Sequence, residues 1–254
     1  LYKTLRKRGR GFLIKTKICV INPATVKGFE ADVYMEAKKN ISQDTDVIVV
    51  TVDKGPASIE SRYDEICAAP GVAEMLKKTE DEADAFVINC FGDPGVESAR
   101  EITRKPVVGA GSTSMGLACL LGERFSIVTV LKSLESISSE IAYRCGALSK
   151  LASVRAVETP VLELEKNKEA LVENLVKESM DAIEKDGAHV IVLGCTGMAG
   201  LAEKVAEGLK RQGHEVPVID PFAAAVKLAN NLAQLKLSHS TITYPKPPEK
   251  QRNW

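Results

Sequence analysis

The sequence has little with which to bind a metal, and little to attract nucleic acid or a membrane. Its 254 residues include only three histidines, His189, His214 and His239, too few for a His-based metal site. The six cysteines, Cys19, Cys67, Cys90, Cys119, Cys145 and Cys195, form no C-x-x-C pair and match no zinc spacing. No metal is expected. No stretch approaches the ~18 uninterrupted apolar residues of a membrane helix, so no membrane partner is expected. Lys+Arg and Asp+Glu are both 34 and the net charge is zero, which gives no overall attraction for nucleic acid. The one local exception is residues 1–17, which contain Lys3, Arg6, Lys7, Arg8, Arg10, Lys15 and Lys17 and no acid. This segment lacks the long apolar region and small-residue cleavage site of a signal peptide and reads as a basic leader. With no secretory signal, the expectation is a cytoplasmic protein with reduced thiols.

What is present is the pattern of an α/β protein. Hydrophobic residues are 44% and charged residues 27%, enough for a sizeable core in a soluble chain. Apolar, β-branched runs that read as strands recur at Lys17–Pro23, Asp46–Val52, the run ending at Cys90, and Lys105–Gly109. They recur again at Phe125–Val130, Ser153–Glu158, the run ending at Cys195, and Val216–Ile219. Helical patterns separate them. The first segment, Phe29–Asn40, is followed by Tyr63–Thr79 with a break at Pro70-Gly71, then one from Val96 and one over Met115–Leu121. The second set is Leu134–Cys145, Asn167–Asp186, Met198–Gln212 and Phe222–Leu235. Ala110 to Ser114 reads as a small-residue loop, and the proline-bearing tail as extended or disordered.

Landmarks repeat at nearly one offset. Cys90 and Cys195 are 105 residues apart, Asn22 and Thr129 107, and Val107 and Val218 111. Two similar lobes follow, each a parallel four-stranded sheet flanked by helices with right-handed crossovers. The expected division is 17–121 for the first lobe and 122–215 for the second. Residues 216–237 form a closing strand and a C-terminal helix returning to the first lobe, with 1–16 and 238–254 as extensions. A pseudo-two-fold would aim both sets of strand tips at one cleft, where open α/β sheets bind ligands.

Each Cys of the repeated pair sits at a strand tip, two residues before a Gly and ahead of a helix. A helix N-terminus can lower a thiol pKa toward neutrality, where it serves as a base. One such Cys suggests a nucleophile. Two on opposite walls suggest a racemase, one thiolate removing a proton and the other thiol returning one, with no organic cofactor. Backbone N–H groups of the Gly-containing loops would hold the developing enolate. The other four cysteines read as small apolar residues, His189 as structural and Asp220 as a helix cap.

The motifs Cys-Phe-Gly-Asp-Pro-Gly (90–95) and Leu-Gly-Cys-Thr-Gly-Met (193–198), with Arg124-Phe-Ser-Ile-Val-Thr129 and Val218-Ile-Asp-Pro221, resemble the hydantoin racemase branch of the aspartate/glutamate racemase superfamily. The similarity runs from about Lys17 to Leu235. It implies two flavodoxin-like lobes with the active site between them, cofactor-independent two-thiol chemistry, and a small-molecule substrate such as a 5-substituted hydantoin or allantoin. It also implies a homo-oligomer. On this resemblance Cys90 and Cys195 are the acid–base pair, and Asn22, Phe91, Gly92, Thr129, Thr196 and Gly197 bind substrate. Where the family's loop after the fourth strand has Glu, this chain has Ser112, so Ser112 and Thr113 are expected to meet substrate in its place. The alternatives are an amino-acid racemase of the aspartate/glutamate type or a maleate isomerase on the same scaffold, and a noncatalytic small-molecule-binding protein. No Lys or Arg adjoins either Cys motif, which favours a neutral ring over a free carboxylate.

Overall fold

In the computed structural model, residues 16–252 are described; most of the basic N-terminal segment lies outside them. Two parallel four-stranded sheets organise the chain. The first is built from β1 (Thr16–Asn22), β2 (Thr45–Thr51), β3 (Ala85–Ile88) and β4 (Val107–Gly109), in the order β2-β1-β3-β4. The second is built from β5 (Phe125–Thr129), β6 (Leu151–Ala156), β7 (Val190–Leu193) and β8 (Val218–Ile219), in the order β6-β5-β7-β8. The expected fold class is therefore the observed one, and the two sheets have equivalent strand orders. The central strands carry apolar runs because helices cover both faces: Ile18–Ile21, Ala85–Ile88 and Val190–Leu193 have no exposed surface. On the edge strand β6, Arg155 turns to an acidic cluster of α6 (Lys168–Glu184) and its end, reaching Asp186 through two hydrogen bonds of 2.7 and 3.2 Å. No helix among the described residues is long and apolar enough to cross a membrane.

The helices depart from expectation in three places. α2 (Arg62–Thr79) runs unbroken through Pro70. Pro70 and Ile66, whose carbonyl loses its donor, both stand on the exposed side, while Ala68, Val72 and Leu76 hold the helix to the sheet. Gly71 allows the approach: a Cβ there would lie 2.7 Å from the Lys54 carbonyl oxygen and 3.0 Å from Val52 Cβ. α4 (Ala110–Leu121) starts directly after β4, so Ala110 to Ser114 is helix rather than loop. After Cys195 comes a 3₁₀ turn, Thr196–Met198, and the next helix, α7 (Ala202–Arg211), begins only at Ala202.

The helices that follow the closing strands change sides. α4 follows the first sheet, yet Met115 and Ala118 are buried with Phe125, Ile127, Val190 and Val192 of the second. α8 (Pro221–Gln234) follows the second sheet, yet Phe222, Ala225, Val226 and Ala229 are buried with Ile18, Val20, Ala85 and Val87 of the first. β8 itself stays paired with β7, so of the closing segment only the helix joins the first sheet. The boundary at residue 121 likewise assigns α4 to the first lobe, whereas its buried face fills the second. Past α8 the tail is held: His239 Nε2 accepts the Val107 N–H at 2.8 Å, and the Arg100 guanidinium donates to the Tyr244 hydroxyl at 3.0 Å. His239 thus occupies a backbone donor on the edge strand β4, and the tail is neither free nor simply extended there.

Candidate active site

A cavity of about 490 Å³ opens between the C-terminal tips of the two sheets. Asn22, Asn89, Cys90, Phe91 and Gly92 line it from the first sheet; Thr129, Gly194, Cys195, Thr196 and Gly197 line it from the second. Cys90 follows β3 by the same step as Cys195 follows β7, since β3 ends at Ile88 and β7 at Leu193. The two thiols reach one cavity from equivalent positions, and both are partly buried.

Local sequence explains how each loop is held. In the first loop, the Asp93 carboxylate is buried and accepts the Gly111 and Ser112 N–H groups, both at 2.8 Å, at the start of α4. These are donors a helix leaves unsatisfied at its first turn. Gly109 and Gly111 make the room: a Cβ at Gly109 would meet the Asp93 carboxyl carbon at 2.4 Å, and one at Gly111 the Phe91 carbonyl oxygen at 2.1 Å. Phe91 lies in the core beneath the second sheet. Gly95, with φ of +73°, turns the chain into α3 (Val96–Ile102). In the second loop, Thr129 donates its hydroxyl proton to the Gly194 carbonyl at 3.1 Å, and a Cβ at Gly194 would lie 2.7 Å from Thr129 Cβ. Thr196 donates to the Asn89 carbonyl at 3.2 Å, tying the tip of one sheet to the tip of the other.

Of the residues expected at the site, Asn22, Cys90, Phe91, Gly92, Thr129, Cys195, Thr196 and Gly197 line the cavity, and Ser112 and Thr113 do not. Those two belong to the first turn of α4, which the Asp93 loop covers. The Asn22 side chain is engaged by its own neighbours. Its Nδ2 donates to Thr51 Oγ1 at 3.2 Å, and its Oδ1 accepts from Asn89 Nδ2 at 2.8 Å. Among the lining residues not foreseen, two carry a buried polar atom without a partner. Asn89 precedes Cys90 and leaves its Oδ1 buried without a partner. Glu65, from the first turn of α2, also lines the cavity with Oε1 buried and unpartnered.

The electrostatics reverse one expectation. Burial pushes both thiols up, Cys195 to about 11 and Cys90 further. Neither loop places its thiol at the N-terminus of an α-helix, because α3 begins at Val96 and α7 at Ala202; Cys195 caps only the short 3₁₀ turn Thr196–Met198. What counters desolvation is the i+2 glycine. The Gly197 N–H donates to Cys195 Sγ at 3.3 Å, and the Gly92 N–H draws the Cys90 thiol down in the same way. These two N–H groups face the sulfurs. A negative charge on Cys195, Asp93 or Glu65 would push Cys90 higher still, so the arrangement favours one thiolate at a time. The lining includes two cations, Lys39 and Lys168, each paired with a lining carboxylate, Glu36 at 2.7 Å and Glu165 at 2.8 Å. Among the described residues no group of three or more His, Cys, Asp and Glu could hold a metal ion.

The family model for Asp/Glu/hydantoin racemases matches residues 18–229. The chain is 42% identical over 236 residues to a hydantoin racemase of Pseudomonas sp. (strain NS671), covering 92% of this chain and 93% of that one. Among solved structures, the allantoin racemase from Klebsiella pneumoniae superposes with a TM-score of 0.87 at 35% identity, over 94% of this chain and 96% of that one. The allantoin racemase from Pseudomonas fluorescens does so with a TM-score of 0.87 at 33% identity, over 94% and 100%.

Proposed function

The chain belongs to the Asp/Glu/hydantoin racemase family and is an isomerase of that family, and we propose that it racemises 5-substituted hydantoins or a related cyclic ureide such as allantoin without a cofactor, using Cys90 and Cys195 as the acid–base pair. The observation that supports the pair most is its placement: two thiols at equivalent positions of two equivalent sheets, lining one cavity. In this reading one thiolate takes the proton from the ring carbon beside the carbonyl. The charge spreads onto the carbonyl oxygen as an enolate, and the other thiol delivers its proton to the opposite face. The product leaves the first sulfur protonated and the second ionised, so each turnover prepares the site for the opposite enantiomer. A desolvated thiolate whose pKa is raised is a stronger base than an ordinary one, which suits abstraction from a weak carbon acid. Each i+2 glycine N–H steadies its sulfur in the ionised form.

The charge of the wall supports a neutral ring over an amino acid. An α-carboxylate substrate calls for a free cation, and both lining lysines are already paired. Names of relatives agree with this choice, since they are a hydantoin racemase and two allantoin racemases. A cytoplasmic homo-oligomer is part of the same reading; the exposed leucines Leu117, Leu120 and Leu121 on α4 offer an apolar patch for a second copy. The substrate test is direct. Single enantiomers of 5-methylhydantoin, allantoin and aspartate are incubated with the protein and followed by polarimetry. Loss of rotation with one or both ureides and none with aspartate is expected. Racemisation of aspartate alone would overturn the substrate class.

A further inference from the structure

Glu65 has no place in the two-thiol scheme, and its surroundings call for one. It comes from α2, an element bearing neither cysteine of the pair, and it lines the cavity that holds both. Its carboxyl lies against the loop of Cys90: a Cβ added at Gly92 would stand 2.2 Å from Glu65 Oε1. The glycine of Cys-Phe-Gly thus leaves space for this side chain as well as supplying an N–H to sulfur. Yet Oε1 is buried without a hydrogen-bond partner, and a buried carboxyl oxygen left unpaired is costly.

The neighbouring charges are engaged elsewhere. Arg62 donates to Glu140 and to the Ser136 carbonyl, Arg144 pairs with Glu97 at 3.3 Å, and Asp93 caps α4. Among the described residues no cation is therefore bound to the Glu65 carboxyl, and burial pushes it up to about 7, the response of a carboxyl lacking a partner. An acid in this state does two things to a ligand. It accepts hydrogen bonds from N–H donors, and its ionised form repels a second negative charge. A cyclic ureide brings ring N–H groups and no charge, whereas an acid-bearing analogue brings a carboxylate.

We propose that Glu65 is a specificity-determining residue of the Cys90 side of the cavity, receiving a ring N–H of a neutral cyclic ureide and turning away ligands that bring a carboxylate. This inference rests on the cyclic-ureide reading of the site. Its test compares 5-methylhydantoin with hydantoin-5-acetic acid, the same ring bearing a carboxylate. Exchange of the C5 proton in D₂O is followed by NMR at a pH above the Glu65 titration, for the wild type, Glu65→Gln and Glu65→Asp, with folding checked by circular dichroism. Wild type should favour the neutral ring. Glu65→Gln should raise KM for 5-methylhydantoin and lower it for hydantoin-5-acetate, reducing the preference by about tenfold or more, while kcat for the neutral ring changes less. Glu65→Asp, which keeps the charge, should keep the preference. Equal changes on both substrates, or an unaltered preference in Glu65→Gln, would overturn the inference while leaving the ureide reading in place. If wild type exchanges neither ring, the ureide reading fails and this inference with it. Should Glu65→Gln not fold, Glu65→Ser removes the charge and bears the same test.

Discussion

At the scale of the residue, the two thiols are ordinary groups made unusual by their surroundings. Each sits beyond the end of a buried strand, so desolvation raises it, and a single i+2 glycine N–H partly offsets that rise. Alkylation by iodoacetamide needs the thiolate. Its rate at Cys195, followed by peptide mass spectrometry, should keep rising with pH toward about 11, whereas in the urea-unfolded chain it should level off near the ordinary 9.0. The sign for stability follows. Between those two values the unfolded chain has released a proton that the folded one retains, so unfolding releases protons and stability falls as pH rises through this window. A plateau near 9 in the folded protein would contradict the burial of the thiol. The sequence exposed Cys90 and Cys195 because each follows an apolar run and precedes a glycine at matching places. It could not expose Glu65, which approaches Gly92 only through the packing of α2. The expected lowering of the thiol pKa failed because desolvation outweighs the single N–H contact at each sulfur, and because sequence order cannot tell an α-helix N-terminus from the loop that precedes it.

At the scale of the element, one carboxylate links a loop to a helix. Asp93 closes the Cys90 loop onto the first turn of α4, through Gly111 and Ser112. Replacing it by Ala leaves one buried and one partly buried N–H group without an acceptor. Asp93→Ala should cost about 1–3 kcal/mol in urea unfolding, and Asp93→Asn, which keeps one acceptor, should cost less. Unchanged stability in Asp93→Ala would show that the loop is held by other means. Ser112 and Thr113 were expected at the wall because Ser112 stands where the family's loop has Glu; the Asp93 contact instead ties them into the first turn of α4. Their small, polar run has the composition of a loop, and the helix signal that overrides it is supplied from Asp93, distant in sequence. Pro70 misled in the opposite direction. Its local preference is to break a helix, but the buried residues Ala68, Val72 and Leu76 on either side keep α2 in one piece. Strands were more legible than helix ends, because a doubly covered parallel strand is a continuous apolar run and needs no partner to be recognised.

At the scale of the whole molecule, the repeat in the sequence became two sheets of equivalent order that share one cavity. The offset between landmarks showed that there were two units. It did not show that α4 and α8 are exchanged between them, because an apolar helix face gives no address for the sheet it will cover. The exchange matters for the site. With α4 beneath the second sheet and α8 on the first, the thiols stand on walls that are cross-braced at the core and joined at the tips by Thr196 and Asn89. The central claim is that these walls bring two acid–base thiols to one substrate, and deuterium exchange with single variants tests it most directly. Each enantiomer of 5-methylhydantoin is incubated in D₂O with the wild type, Cys90→Ser or Cys195→Ser, beside a protein-free control. Optical rotation and the C5 proton signal are followed together. The account predicts that wild type racemises and exchanges both enantiomers, and that each variant stops racemising yet still exchanges one enantiomer, a different one for each. Racemisation that survives either substitution at the wild-type rate would contradict it.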